Sequence, residues 1–273
     1  MRYKLICSDL DDTLIGRKQQ FGENLKSSVK EYTDKGGRFC IVTGRMTVGA
    51  MPAAKELGLH GELASYQGAV ISDIDTGKVV SSNVIDNADA YSIGQYIESK
   101  GYYYQTYVGD KFYTETPNSF TEIYGSLCHA QYVGTKCRLS EFIKENRVAP
   151  PKILLMGEPS AIPSVTADLR ERFGAKFLIN RSKPFIIEIV PHGINKGLAV
   201  EFVAKRHGIN REDVICVGDS ENDLTMLAAA GLSVCVANGS EEVKKNVDVI
   251  APDCDDDPVS WVIRKYGLDT AGV

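Results

Sequence analysis

Cys7-Ser8-Asp9-Leu10-Asp11-Asp12-Thr13-Leu14 is an acidic break at the end of an apolar run, Tyr3-Lys4-Leu5-Ile6-Cys7. The run is rich in strand formers and suits a buried strand. Three carboxylates within four residues at such a strand's end repel one another and are costly to desolvate. Two readings are open at this point. Asp favours turns and helix caps, so the stretch is a turn and nothing more. Alternatively a cation lies between the carboxylates, and a hard divalent ion such as Mg²⁺ takes a few carboxylate oxygens together with water and phosphate. Open α/β sheets bind ligands beyond the carboxyl ends of their strands, which is where these acids fall.

Outward from the break, Glu23 to Lys35 carries Leu25, Val29 and Tyr32 at helical spacing and stops at Gly36-Gly37. Arg38-Phe39-Cys40-Ile41-Val42 is a second buried-strand pattern that ends at Thr43-Gly44-Arg45. A helix from Ala50 to Leu57 follows, then short strands around residues 63–66, 69–71 and 78–80. This βαβα rhythm predicts a parallel sheet. Between about 83 and 188 the texture changes to interleaved strands and helices, and nine of the thirteen tyrosines lie there. The mixture predicts a separate α+β unit inserted into the first fold. The βα rhythm then resumes with a helix over Asn195–His207, a strand over Asp213–Val217 and a helix over Glu221–Ala230. Strand and helix over 232–250 follow, and a last helix runs from Pro258 to Tyr266, where Asp255-Asp256-Asp257 suits the helix dipole. The expected fold is a doubly wound, Rossmann-like α/β core of residues 1–82 and 189–273, carrying residues 83–188 as the insert.

The 273 residues suffice for one large or two modest domains. A hydrophobic fraction of 43% and a charged fraction of 25% are ordinary for a globular chain. The net charge of −5 offers no basic field for nucleic acid. No apolar stretch approaches the ~20 residues that span a bilayer, and Met1-Arg2-Tyr3-Lys4 lacks the pattern of a signal peptide; a cytoplasmic location is expected. The seven cysteines lack CxxC pairs, which points to reduced core thiols and against a disulfide framework or zinc site. His60, His129, His192 and His207 are dispersed and form no cluster.

Three further strand ends or helix starts carry pointed chemistry. Thr43-Gly44 offers a hydroxyl and an unhindered N–H at a helix entrance, either an anion site or a cap with a turn glycine. Lys196 follows Gly193-Ile194-Asn195 at a helix start, where a cation opposes the dipole unless an anion binds or the side chain reaches water. Gly218-Asp219-Ser220-Glu221-Asn222-Asp223 puts three acids in five residues after a strand. A helix dipole accounts for Glu221 and Asp223, but an acid and a glycine at the strand end itself fit a metal site better.

Taken in order, Asp9-Leu10-Asp11-Asp12-Thr13, Thr43-Gly44-Arg45, Lys196 and Gly218-Asp219-Ser220-Glu221-Asn222-Asp223 resemble the four motifs of the haloacid dehalogenase superfamily of phosphohydrolases. The insert between the second and third motifs, with Glu188-Ile189-Val190-Pro191 leading to Asn195-Lys196-Gly197, is similar to the Cof-type sugar-phosphatase branch. The resemblance implies a phosphoric monoester hydrolase with residues 83–188 as a substrate-specificity cap. It implies Asp9 as nucleophile and Asp11 as general acid and base, with Thr43 and Gly44 holding phosphoryl oxygens. Lys196 would offset their charge and Asn222 would also reach them. Asp9, Asp219 and the Asp11 carbonyl would hold Mg²⁺, with Asp223 supporting directly or through water. Phosphoryl transfer is catalysed mainly by positioning and charge neutralisation, which such a set provides.

Two departures stand out. Tyr66-Gln67-Gly68-Ala69 occupies the place where this branch often has Asn-Gly-Ala, leaving the role of that amide open, and Asp12 stands where glycine is frequent. A small phosphorylated metabolite, such as a sugar phosphate, is the expected partner; Arg181 and Lys183 are candidates for reading it. A phosphomutase or phosphotransferase using the same aspartyl phosphate is the nearest alternative. A receiver-like signalling domain or a non-catalytic binding protein is more distant.

Overall fold

The computed structural model describes residues 2–128 and 130–268. The chain begins with β1 (Leu5–Ser8), α1 (Leu25–Asp34), β2 (Arg38–Ile41), α2 (Thr47–Glu56), β3 (Glu62–Ser65), β4 (Val70–Asp73) and β5 (Val79–Ser82). The middle section holds α3 (Asn87–Ser99), β6 (Tyr103–Val108), β7 (Lys111–Thr114), α4 (Ser119–Cys128), β8 (Gln131–Gly134) and α5 (Leu139–Glu145). It continues with β9 (Ile153–Met156), α6 (Ile162–Phe173), β10 (Phe177–Lys183) and β11 (Ile186–Pro191). The last section is α7 (Lys196–Arg206), β12 (Val214–Gly218), α8 (Leu224–Ala228), β13 (Leu232–Val236), α9 (Glu241–Lys244), β14 (Val249–Ala251) and α10 (Pro258–Val262).

Two compact units result: one runs to Ser81 and resumes at Asn195, and the other is Ser82–Ile194. In the first, a parallel sheet has the order β14-β13-β12-β1-β2. Alternation along each strand feeds two cores, because successive side chains point to opposite faces. Ile6, Ile215 and Val217 pack with α1, α2 and α10 on one face. Leu5, Cys7, Val214 and Cys216 pack with α7 and α8 on the other. The core is therefore a doubly wound α/β fold, as the βα rhythm predicts. A small sheet of β3, β4 and β5 stands beside it.

The second unit is an α+β structure. Its six-stranded sheet, ordered β10-β11-β9-β6-β7-β8, is antiparallel apart from the parallel pair β7 and β8. One face carries Ile153, Leu155, Ile179, Ile187 and Ile189 against Ile93, Ile97 and Leu169 of the helices.

Three details depart from the sequence reading. The return to the core, expected after Glu188, comes after Ile194, because β11 continues to Pro191 with Val190 paired to Leu178 and Pro191 to Phe177. The helix expected over Pro258–Tyr266 is α-helical only to Val262 and widens to π geometry over Ile263–Gly267. The acids before it are used in tertiary contacts. Asp253 and Asp255 grip the Arg17 guanidinium at 2.8 to 3.0 Å, and Asp257 accepts from the Asn24 amide at 2.9 Å. The six described cysteine side chains are free thiols, five of them buried; the Cys128 side chain and His129 lie outside the described residues. Among the described residues no helix is long and apolar enough to cross a membrane.

Candidate active site

Strand order runs from β1 outward to β2 on one side and from β12 through β13 to β14 on the other. It therefore reverses between β1 and β12, and the crevice of such a sheet opens beyond the carboxyl ends of those two strands. Asp9 follows β1 and Asp219 follows β12, and the Asp9 amide donates to the Val217 carbonyl at 2.9 Å. Two acids thus leave adjacent strands side by side.

Lys196, the first residue of α7, joins Asp9 to Asp223 with its side chain only 1% exposed. Its Nζ donates to Asp9 Oδ1 at 2.5 Å and to Asp223 Oδ1 at 2.6 Å. The second oxygen of Asp223 accepts from the amides of Asp219 at 3.0 Å and Ser220 at 3.1 Å. Asp223 therefore braces both the lysine and the loop that carries Asp219. Thr13 Oγ1 donates to Asp219 Oδ1 at 3.1 Å. Asn195 caps α7 by accepting from the Leu198 amide at 3.0 Å. At Gly197 a Cβ would lie 2.4 Å from the Thr225 carbonyl oxygen, so only glycine lets the start of α7 approach α8 closely enough to bury Lys196.

Burial pushes Asp9 up to about 8, with Lys196 opposing and Asp223 and Asp219 adding to the rise. Burial also pushes Asp219 up to about 6, with Asp223 adding. Against the cost of its own burial, Lys196 is held above the ordinary lysine range by Asp9 and Asp223. Ionising all three carboxylates beside the one ammonium would leave two negative charges in excess, the charge that one divalent cation cancels. Asp9, Asp219 and Asp223 present oxygens that all lie within 4.8 Å of one another. An oxygen-only set of this kind is what Mg²⁺ takes, and no soft ligand competes in it.

The second motif is drawn to the same place by the Val42 amide, which donates to the Ser8 carbonyl at 2.9 Å. Thr43 is buried, and its Oγ1 accepts from the Arg45 amide at 3.1 Å. Arg45 forks onto Asp11, Nε to Oδ2 at 2.8 Å and Nη2 to Oδ1 at 2.5 Å, so the Asp11 carboxylate is oriented by a bidentate pair. Asn222 is exposed, and its Nδ2 donates to Gln67 Oε1 at 3.4 Å.

Asp9, Asp11, Thr43, Gly44, Lys196, Asp219, Asn222 and Asp223 thus all belong to one region of the first unit. Arg181 and Lys183 do not: they are exposed residues of β10 in the second unit, at a register shift against β11. His60 binds Asp75, His192 the Gly174 carbonyl and His207 Glu62, each at 2.6 to 2.9 Å. Sequence reasoning passed over two residues. Arg45 was visible only as the neighbour of Thr43-Gly44. Asn238, just beyond the end of β13, donates to the Asp12 carbonyl at 2.7 Å and accepts from the Cys254 amide at 2.8 Å; its place at another strand end was the available signal.

A doubly wound core with acids and a buried lysine at its switch point defines a class, the α/β enzymes whose sites lie beyond the carboxyl ends of their strands. Within it, the sequence pattern of the haloacid dehalogenase-like hydrolases matches residues 6–263, and the chain belongs to that family of enzymes. Phosphatase YwpJ of Bacillus subtilis is 26% identical over 96% of this chain and 99% of its own. YxeH of the same organism, provisionally named a phosphatase, is 29% identical over 88% of this chain and 90% of its own. A haloacid dehalogenase-like hydrolase from Bacteroides thetaiotaomicron superposes with a TM-score of 0.87 at 30% identity, over 96% of this chain and 98% of that one.

Proposed function

We propose that the chain is a Mg²⁺-dependent phosphatase that hydrolyses a small phosphate monoester, a sugar phosphate or related metabolite, through an aspartyl phosphate on Asp9. The observation that carries this reading is the buried Lys196 ammonium shared between Asp9 and Asp223, beside Asp219 at the switch point. The phosphatase names of its relatives point the same way.

A carboxylate oxygen of Asp9 attacks phosphorus as the bond to the ester oxygen breaks, and Asp11 gives that oxygen its proton. Water then attacks the phosphorus of the aspartyl phosphate, Asp11 takes the proton from that water, and Asp9 leaves as carboxylate. The covalent intermediate divides one difficult displacement into two easier ones. Thr43 and the Gly44 N–H hold phosphoryl oxygens, Asn222 reaches them from the opposite loop, and Lys196 offsets their charge. Arg45 keeps the Asp11 carboxylate in one orientation. When bound, Mg²⁺ would be held by Asp9, Asp219 and the Asp11 carbonyl with Asp223 bracing them, and would supply neutralising charge to the phosphoryl oxygens. The second unit, as a cap, reads the rest of the substrate, with Arg181 and Lys183 as its charged candidates.

A panel of phosphate esters assayed with Mg²⁺ and after chelation tests the reading. Release of inorganic phosphate that needs the metal and is abolished in Asp9→Asn is expected. Transfer of the phosphoryl group to a sugar hydroxyl would favour a mutase instead. Normal turnover by Asp9→Asn would remove the mechanism altogether.

A further inference from the structure

We propose that the side-chain amide of Gln67 is a direct ligand of the phosphoryl group, donating from Nε2 beside Thr43 and Gly44; this deepens the phosphatase reading and rests on it. Tyr66, Gln67 and Gly68 have φ of 52°, 59° and 91°, three successive residues in the left-handed region. For Tyr and Gln this backbone is strained, and such strain persists only where the surroundings over-determine it. Here they do. The Tyr66 amide donates to the Arg45 carbonyl and the Gln67 amide to the Thr43 carbonyl, both at 2.9 Å. On the other side the turn abuts the cap of α7, since a Cβ on Gly68 would lie 2.8 Å from the Asn195 carbonyl oxygen. The turn is thus wedged between Thr43–Arg45 and the helix start that delivers Lys196.

The side chain of Gln67 is fixed at one end. Its Oε1 accepts from Asn222 Nδ2 at 3.4 Å, and Asn222 is held in turn by the Ser220 hydroxyl at 2.7 Å. With the carbonyl end engaged, Nε2 faces Gly44, where a Cβ would come within 2.5 Å of it. Glycine at position 44 therefore leaves room for this amide as well as exposing its own N–H. Among the described residues no acceptor meets Gln67 Nε2. A half-buried N–H donor without an acceptor, at the point where the Thr43-Gly44, Asn195-Lys196 and Asn222 segments converge, is satisfied by a phosphoryl oxygen. Hydrogen bonds to an anion are among the stronger ones, and a donor aimed at developing charge favours the transition state. Because every ester presents the same phosphoryl group, the contribution is common to all substrates.

Titration calorimetry with inorganic phosphate in the presence of Mg²⁺, and kcat/KM on two unrelated phosphate esters, compare the wild type with Gln67→Met and Gln67→Glu. Gln67→Met keeps the length and loses both the donor and the oxygen that Asn222 uses; phosphate affinity and kcat/KM on both esters should fall together by about 10- to 100-fold. Gln67→Glu keeps the oxygen that Asn222 uses and sets a negative charge against phosphate. Its loss should be larger and should shrink as pH falls toward the ordinary glutamate value of ~4.3, where the carboxyl becomes a donor again. A residue that only shapes the turn would show no such pH dependence. Should Gln67→Met lose its fold, the isosteric Gln67→Glu still decides. Wild-type phosphate affinity in Gln67→Met, or a loss confined to one ester, overturns the proposal while leaving the phosphatase reading intact. A wild type that binds no phosphate and hydrolyses no ester overturns both.

Discussion

At the scale of single residues, one ammonium on Lys196 serves both Asp9 and Asp223, and among the described residues no cation forms an ion pair with Asp219 beside them. A carboxyl raised in the folded state binds its proton more tightly there than in the unfolded chain. Its stabilising contribution is full below the unfolded pKa and is lost as pH rises through the folded one. For Asp219, pushed up to about 6, that window lies between the ordinary aspartate value of ~3.9 and about 6. Mg²⁺ binds the ionised forms, so its stabilisation should grow across this window and on toward about 8, the value to which burial pushes Asp9. Melting temperature measured with Mg²⁺ and with chelator should differ by several degrees near pH 8 and by much less near pH 5, since a ligand at about 100 times Kd adds ~2.7 kcal/mol. An equal gain at both pH values would speak against ionised ligands. The two catalytic carboxylates also separate at this scale. Asp11→Asn keeps the attacking oxygen but loses the group that activates water, an effect of ~10²–10⁴-fold. Phosphoenzyme should accumulate on Asp9 in that variant, visible as an added phosphoryl mass after rapid quench, and be absent from Asp9→Asn.

At the scale of elements, the site depends on how closely α7 starts against α8. Gly197→Ala would push a methyl into the Thr225 carbonyl, now 2.4 Å from where that Cβ would stand. Overpacking of this kind costs about 1–3 kcal/mol, and the displaced helix start carries Lys196 with it. A fall of several degrees in melting temperature and at least a tenfold fall in kcat are expected. A variant that is destabilised yet turns over normally would show that Lys196 tolerates the shift. The loops after β1, β12 and β13 are tied in a similar way. Asn238 holds the Asp12 carbonyl and the Ser240 amide holds the Asp219 carbonyl at 2.8 Å, so the β13 loop fastens both acidic loops from the side.

At the scale of the whole molecule, the chain is a doubly wound core interrupted by an α+β unit at Ser82–Ile194. Arg181 and Lys183 are exposed there, so their truncation should leave stability within about 0.5 kcal/mol. Arg181→Ala and Lys183→Ala should shift the ratio of kcat/KM between a charged sugar phosphate and p-nitrophenyl phosphate; equal losses on every ester would deny them a part in specificity. The acidic strand ends were legible in the sequence, because strands of a parallel sheet are buried on both faces and read as unbroken apolar runs. Leu5-Ile6-Cys7 and Val214-Ile215-Cys216-Val217 announce themselves, and the acids that end them stand out. Which partner each acid takes was not legible. Lys196 is 187 residues from Asp9 and Gln67 is 155 from Asn222, and no periodicity records a contact between distant segments. Nor does composition show that Asp253, Asp255 and Asp257 hold Arg17 and Asn24 where their local pattern suits a helix start. The sequence alone determined the alternation of buried strands and helices and the residue types at their ends, because both follow from local burial. Only the tertiary structure decided that Arg45 orients Asp11, that Asp223 braces Lys196 and that Gln67 faces Gly44, because these depend on how separate loops pack around one crevice.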